Sequence, residues 1–226
     1  MEKYINKEEL ASYVDHTGLK PDLITDDIEK LCNEAVKYSF ASVCINPCYV
    51  SIAKEFLKDS KVKVCTVIGF PLGTTTTEVK VLEASQAIKN GAAEIDMVLN
   101  IGALKEEKFD YVEKDIKAVC ESCKGKALVK VIIETCLLNN DQIIKACELA
   151  VSASADYVKT STGFSLSGAK ESDVVLMKET VGKSIGVKAS GGIKDLNTMI
   201  KMIKAGATRI GTSSSVSIMK EKIKNK

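Results

Sequence analysis

The chain has 226 residues, of which 45% are hydrophobic, 27% charged and 5% aromatic, with no tryptophan; that is ordinary globular make-up, enough for one α/β barrel or two smaller domains. Its 32 basic residues (one arginine, Arg209, the rest lysines) are interspersed with 30 acids for a net charge of +2, so there is neither the basic stripe nor the stacking surface of a nucleic-acid binder. No apolar run is as long as a membrane span, and Met1-Glu2-Lys3-Tyr4-Ile5-Asn6-Lys7-Glu8 has no signal-peptide core, so no membrane partner and a cytoplasmic location are expected.

In chain order, Asn6 with Glu9 three residues later reads as a capping box opening an extra N-terminal helix. Strands are then expected at 13–16, 41–45, 62–68, 94–99, 127–134, 156–159, 184–189 and 208–211. Amphipathic helices fill the gaps. Ile28, Leu31, Cys32, Ala35 and Val36 follow a helical apolar stripe, as do Val81, Leu82, Ser85 and Ile88 more loosely. Asn90-Gly91-Ala92 and Ala205-Gly206-Ala207 look like helix stops. Eight strands alternating with helices, with no linker, predict one domain over residues 1–226: a closed (β/α)8 TIM barrel carrying the extra N-terminal helix. The rival is an open doubly wound sheet, but no strand is followed by a G-x-G-x-x-G turn.

The eight cysteines read first as packing. Cys32, Cys44, Cys65, Cys136 and Cys147 fall in apolar patterns. Cys120-Glu121-Ser122-Cys123 has no second pair, and His16 is the sole histidine, so no metal site is expected.

The chemistry is carried by charges inside strand patterns. Tyr157-Val158-Lys159-Thr160 and Gly186-Val187-Lys188-Ala189 each end a β-branched run on a lysine. Lys130 stands likewise within Leu128-Val129-Lys130-Val131-Ile132, and Asp96 within Glu94-Ile95-Asp96-Met97-Val98. These four recur about one βα unit apart, and alternation puts Glu94, Asp96, Val98 and Asn100 on one side of their strand. A lysine of ordinary pKa is neutral about once in 2,500 at pH 7, and correcting that takes about 4.6 kcal/mol. A second ammonium about 5 Å away supplies on the order of 3 kcal/mol at an effective dielectric near 20, and partial burial adds the rest. Lysines on neighbouring strands could therefore yield a free amine for Schiff-base chemistry without a metal or cofactor. Spacing leaves the nucleophile open among Lys159, Lys188 and Lys130. Asp96 reads as a counter-ion that neutralises one buried lysine and, compatibly with that, as a proton-transfer group acting directly or through a water.

Three glycine-containing turns suggest a phosphate corner at the barrel mouth: Thr162-Gly163, Ser190-Gly191-Gly192-Ile193 and Gly211-Thr212-Ser213-Ser214-Ser215.

Together, Asp15-His16-Thr17, Glu94-Ile95-Asp96-Met97-Val98, Val131-Ile132-Ile133-Glu134-Thr135, Val158-Lys159-Thr160-Ser161-Thr162-Gly163, Gly186-Val187-Lys188-Ala189-Ser190-Gly191-Gly192-Ile193 and Arg209-Ile210-Gly211-Thr212-Ser213 resemble the deoxyribose-phosphate aldolases, over almost the whole chain and in the same order. The resemblance implies a cofactor-free class I aldolase cleaving 2-deoxy-D-ribose 5-phosphate to D-glyceraldehyde 3-phosphate and acetaldehyde, in deoxyribonucleotide and carbohydrate catabolism. It implies Lys159 as the Schiff-base lysine, Lys188 as the second lysine and Asp96 as the proton relay. Thr17, Cys44 and Thr162 would line the pocket, while Gly163, Gly191, Gly192, Gly211, Ser213 and Ser214 would hold the phosphate. A small phosphosugar is the expected partner, and a homodimer or homotetramer the expected assembly. Departures from the family pattern are Phe164-Ser165-Leu166-Ser167-Gly168-Ala169 after Gly163, Ser215 where glycine is common, and a tail, Lys222-Ile223-Lys224-Asn225-Lys226, without the C-terminal tyrosine of some members. Two other readings are a different phosphosugar barrel, such as an isomerase or transaldolase-like enzyme, and a catalytically silent phosphosugar-binding protein.

Overall fold

Eight short runs rich in valine and isoleucine pair side by side, all parallel, until the last meets the first and closes a barrel in the order β1 to β8. The computed structural model describes residues 6–221; the leader-peptide expectation rests partly on residues 1–5 and the missing tyrosine on 222–226, which lie outside the described residues. The elements are α1 (Lys7–Ser12), β1 (Val14–Gly18), α2 (Thr25–Tyr38), β2 (Ser42–Ile45), α3 (Val50–Phe56), β3 (Lys63–Ile68), α4 (Thr77–Lys89), β4 (Glu94–Val98), α5 (Ile101–Lys105), α6 (Phe109–Cys123), β5 (Leu128–Ile132), α7 (Asn140–Ser152), β6 (Tyr157–Lys159), α8 (Glu171–Val181), β7 (Gly186–Ser190), α9 (Leu196–Lys204), β8 (Arg209–Thr212) and α10 (Ser215–Lys220). All eight expected strands are present, displaced by one or two residues at their ends. The first helix is capped as its sequence suggests, with the Asn6 side chain accepting the Glu9 N–H at 2.6 Å. No described helix is long and apolar enough to cross a membrane.

Alternation sorts each strand into two faces. Val14, Val43, Ile45, Val64, Ile68, Ile95, Met97, Val129, Val131, Val158, Val187, Ala189 and Ile210 join the helices in the main apolar core, outside the barrel. The residues between them face inward, and there the barrel is polar. Asp15, Ser42, Glu94, Asp96, Lys130, Lys159 and Lys188 are all buried. A second, smaller apolar cluster of Leu19, Cys44, Cys65 and Val67, with Phe70 against it, occupies the β1–β3 side. Helices cover the outside, and these ionic groups within are largely withdrawn from water.

Helix α4 corrects one expectation. Its buried positions are Lys80, Ala84 and Ala87, whereas Leu82, placed on the apolar stripe, is 66% exposed. The reason is ionic: Lys80 Nζ meets Asp115 Oδ2 of α6 at 2.6 Å, both side chains fully buried, with Thr77 Oγ1 donating to Asp115 Oδ1 at 2.8 Å. A buried pair satisfied in this way, flanked by small alanines, turns the helix away from the face its larger apolar residues suggest.

Candidate active site

Register brings the two lysines together. Lys159 of β6 and Lys188 of β7 are direct cross-strand partners, so their side chains leave the sheet on the same face about one strand spacing apart. Both end on one atom: Asp96 Oδ2 accepts from Lys159 Nζ at 2.8 Å and from Lys188 Nζ at 2.7 Å. The other oxygen, Oδ1, accepts from Lys130 Nζ at 2.8 Å and faces the Cys65 thiol at 3.2 Å. Thus Asp96 stands between its lysines and holds all three. The carboxylate expected to neutralise one buried lysine thus bridges both members of the crowded pair.

Three further charges complete the cluster, and their roles were not foreseen. Asp15 of β1 contacts Lys188 at 2.5 Å and Lys130 at 3.7 Å. Glu94, two residues before Asp96, pairs with Lys130 at 2.6 Å. Beneath them Arg209 of β8 reaches Asp15 at 2.6 Å and Glu94 at 2.9 Å, with its guanidinium over the Tyr157 ring. Four cations therefore face three carboxylates. Alternation could have found these groups, since Glu94 shares the inward side with Asp96 and Asp15 directly precedes His16.

The electrostatics follow the counting. Burial works to raise the carboxyl of Asp96, but Lys130, Lys159 and Lys188 outweigh it and hold Asp96 well below the usual carboxylate range. Asp15 behaves likewise, burial being overcome by Lys188, Lys130 and Arg209. For Lys188 burial favours the neutral amine, yet Asp15 and Asp96 win and keep it protonated above the ordinary lysine value. Lys130 is held charged in the same way, chiefly by Asp96 against its own burial. Lys130 has three carboxylate partners, Lys188 two and Lys159 one. The cluster carries one cation in excess, and Lys159, 3% exposed at the mouth, is the cation with the fewest counter-ions. The three lysines that spacing leaves equivalent thus differ in how many carboxylates each one meets.

The remaining expected residues lie near the carboxyl ends of the strands or in the loops that follow them. Thr17, at the top of β1, spends its hydroxyl on the Asp15 carbonyl at 2.9 Å. Cys44 of β2 lies opposite Cys65 of β3 in register. Thr162, just beyond β6, donates its N–H at 3.3 Å and its hydroxyl to the buried Glu134, which takes a positive φ of 55°. Gly163, Gly191 and Gly192 all have positive φ, and the first two are near neighbours: a Cβ added to Gly191 would lie 3.7 Å from Gly163 Cα. The β6–α8 and β7–α9 loops meet here through Ala169 N–H donating to Ser190 O at 3.0 Å. Ser213 and Ser214 follow β8, with Ser214 N–H donating to Thr212 Oγ1 at 2.9 Å. Gly211 is placed differently from the other glycines. It sits within β8, where a Cβ would come 2.9 Å from Ser190 Cβ and 3.1 Å from Lys188 Cε, so its lack of a side chain makes room for Lys188. Asn100, expected to point inward with Asp96, instead caps α5 by accepting the Ala103 N–H at 3.0 Å.

His16 faces outward, bonded to Glu34 at 2.9 Å and Ser215 at 3.1 Å. Cys136, expected in the core, is only half-buried. Two inward triads, Cys44–Cys65–Asp96 and Asp15–Cys65–Glu94, each bring three potential metal-ligand atoms within 4.8 Å of one another. Their carboxylates already neutralise the cluster's ammonium and guanidinium groups, whose excess positive charge opposes a further cation.

Comparison with known proteins agrees with this geometry. A family model described as DeoC/LacD family aldolase matches residues 10–220. The chain is 58% identical over 213 residues to a deoxyribose-phosphate aldolase of Clostridium tetani, covering 94% of this chain and 99% of the relative. It is 60% identical over 216 residues to one of a Geobacillus species, covering 96% and 97%. Among solved structures, the tetrameric deoxyribose phosphate aldolase of Aeropyrum pernix superposes with a TM-score of 0.89 at 33% identity, covering 95% of this chain and 91% of that one. Orotidine 5'-phosphate decarboxylase of Pyrococcus horikoshii, at 14% identity and a TM-score of 0.64, covering 90% and 97%, shares the fold alone.

Proposed function

The chain belongs to the DeoC/LacD family of aldolases, and from that membership we propose how its ring of buried charges performs a Schiff-base cleavage. It is a class I aldolase that reversibly cleaves 2-deoxy-D-ribose 5-phosphate to D-glyceraldehyde 3-phosphate and acetaldehyde. The observation that carries the residue assignment is that one oxygen of Asp96 bridges Lys159 and Lys188.

Neutral Lys159 attacks C1 of the open-chain sugar. Lys188, kept charged by Asp15 and Asp96, supplies positive potential beside that amine and a proton to the departing hydroxyl of the carbinolamine. Loss of water leaves a protonated imine, which serves as the electron sink in place of a metal or cofactor. Asp96 with Lys188, through a water, takes the proton of the C3 hydroxyl as the C2–C3 bond breaks. Glyceraldehyde 3-phosphate departs; the enamine is protonated at C2, and hydrolysis releases acetaldehyde and regenerates the amine. Lys130, tied to three carboxylates, fixes Asp96 in place.

Thr17, Cys44 and Thr162 line the pocket. Gly163, Gly191, Gly192, Ser213 and Ser214 form the phosphate corner, a reading supported by the positive φ of the three glycines, a conformation in which successive backbone N–H groups make anion-binding concavities. Gly211 joins that corner through the position of its strand end. An assembly of two or four copies is supported by the tetrameric A. pernix relative. A reducing, cytoplasmic setting is supported by eight free cysteines.

The decisive experiment is borohydride reduction in the presence of acetaldehyde, followed by intact mass and peptide mapping. The adduct is expected on Lys159 and absent from Lys159→Met, which also loses turnover. An adduct on Lys130 or Lys188 of the parent protein overturns the assignment. Phosphosugar binding that survives Lys159→Met, with no turnover in the parent, would instead indicate a binding protein.

A further inference from the structure

Two thiols adjoin the lysine site, and although Cys44 lines the pocket, neither takes part in the bond-making and bond-breaking steps of the cleavage. Cys44 and Cys65 are Cα partners on the neighbouring parallel strands β2 and β3, and both face inward in the small cluster with Leu19, Val67 and Phe70. Adjacent strands lie about 4.8 Å apart, inside the roughly 4.4–6.8 Å range of Cα separations that a disulfide spans. The two sulfurs and an oxygen of Asp96 lie within 4.8 Å of one another. Cys65 further contacts Lys130 Nζ at 3.3 Å, so this pair touches the carboxylate and a cation on which the aldolase reading rests.

The chemistry of the pair is asymmetric. The Cys65 thiol hydrogen-bonds to Cys44 and, with the charges of Lys188 and Lys159, brings Cys44 below the ordinary thiol value despite its burial. Burial pushes Cys65 well up, and pushes Cys32, Cys120 and Cys147 up to about 12. A thiolate beside ammonium groups is the form that oxidants attack, and a thiol one strand away is placed to resolve the product.

We propose that Cys44 and Cys65 are a redox-responsive pair that closes to a disulfide within the barrel mouth and thereby silences the aldolase. With hydrogen peroxide as oxidant, the Cys44 thiolate takes one peroxide oxygen to give a sulfenic acid, releasing hydroxide. The Cys65 thiol then attacks that sulfur; the S–S bond forms, and the sulfenic hydroxyl leaves with the Cys65 proton as water. Once the hydroxide is protonated, two thiols have been oxidised and one peroxide reduced to two waters. Asp96 Oδ1 loses its thiol neighbour, and the pocket wall beside Lys159 is drawn toward β3. The inference rests on the aldolase reading, because silencing is measured as lost cleavage.

The test treats the full chain with a small excess of peroxide, blocks remaining thiols and maps the peptides. Expected are a Cys44–Cys65 cross-linked peptide, a fall in cleavage of about tenfold or more, and recovery with dithiothreitol. Cys44→Ser, compared with its own untreated activity, should keep that activity after the same dose, whereas Cys120→Ser should respond as the parent does. A cross-link formed only elsewhere, full activity in the cross-linked protein, or inactivation of Cys44→Ser at the parent's rate would overturn the proposal. Acetaldehyde trapping on reduced protein reports on the aldolase reading separately, since it involves neither thiol.

Discussion

Replacing Lys188 with methionine tests the electrostatic core of the mechanism. Lys188 Nζ and Lys159 Nζ flank the same oxygen at 2.7 and 2.8 Å, so the two nitrogens are at most 5.5 Å apart (2.7 plus 2.8). At an effective dielectric near 20, removing one charge at that distance favours protonated Lys159 by about 3 kcal/mol, equivalent to about two pH units. The cluster also passes from one cation in excess to balance, which removes its bias toward releasing a proton. The assay is the rate of borohydride-trapped adduct formation with acetaldehyde across pH. In Lys188→Met the rise in that profile should move about two units toward alkali, and at neutral pH trapping should slow by on the order of a hundredfold. Circular dichroism and a melt confirm that the barrel persists. A folded variant whose profile does not move would refute the reasoning, showing that Asp96 shields Lys159 from its neighbour.

Breaking the buried Lys80–Asp115 pair of α4 and α6 with Lys80→Met should destabilise by about 3–5 kcal/mol, lowering Tm by on the order of 10 °C. Lys80→Met with Asp115→Leu should recover most of that loss, and equal melts for the single and double variants would contradict it. Gly211→Ala puts a methyl 3.1 Å from Lys188 Cε and should lower kcat/KM on the order of tenfold to a hundredfold while far-UV circular dichroism stays unchanged; parent-like kinetics would show that Lys188 yields freely. Asp15 and Asp96 have folded-state proton affinities below the ordinary carboxyl value of 3.8, since their cations outweigh burial. Their stabilising contribution is present above about pH 4 and lost as pH falls further, so Tm should drop steeply in that acid range. His16 is lowered from 6.5, mainly by burial against the opposing pull of Glu34. Its contribution is therefore present above pH 6.5 and lost as pH falls below it, and His16→Gln should flatten the melting curve of Tm against pH just below 6.5.

Some of this molecule was legible before any coordinates. The strands could be read because each is a short β-branched run, and alternation put Asp96, Lys159 and Lys188 on inward faces at one-unit spacing. Strand ends slipped by a residue or two because pairing, which the local pattern does not contain, decides where a ladder stops. The stripe on α4 was misplaced because Lys80 reads as a surface residue until Asp115, 35 residues away, supplies its counter-charge. Glu94 and Asp15 went unassigned for a similar reason: a carboxylate's role depends on which cation it meets, and Arg209 meets both from the far end of the chain.

Sequence by itself determined the barrel, the presence of buried lysines with a carboxylate among them, and the family, because periodicity and motif order are properties of the linear chain. Tertiary structure alone decided which lysine is left with the fewest carboxylate partners, Lys159 with Asp96 alone. That count is set by register and closure between strands that lie far apart in sequence.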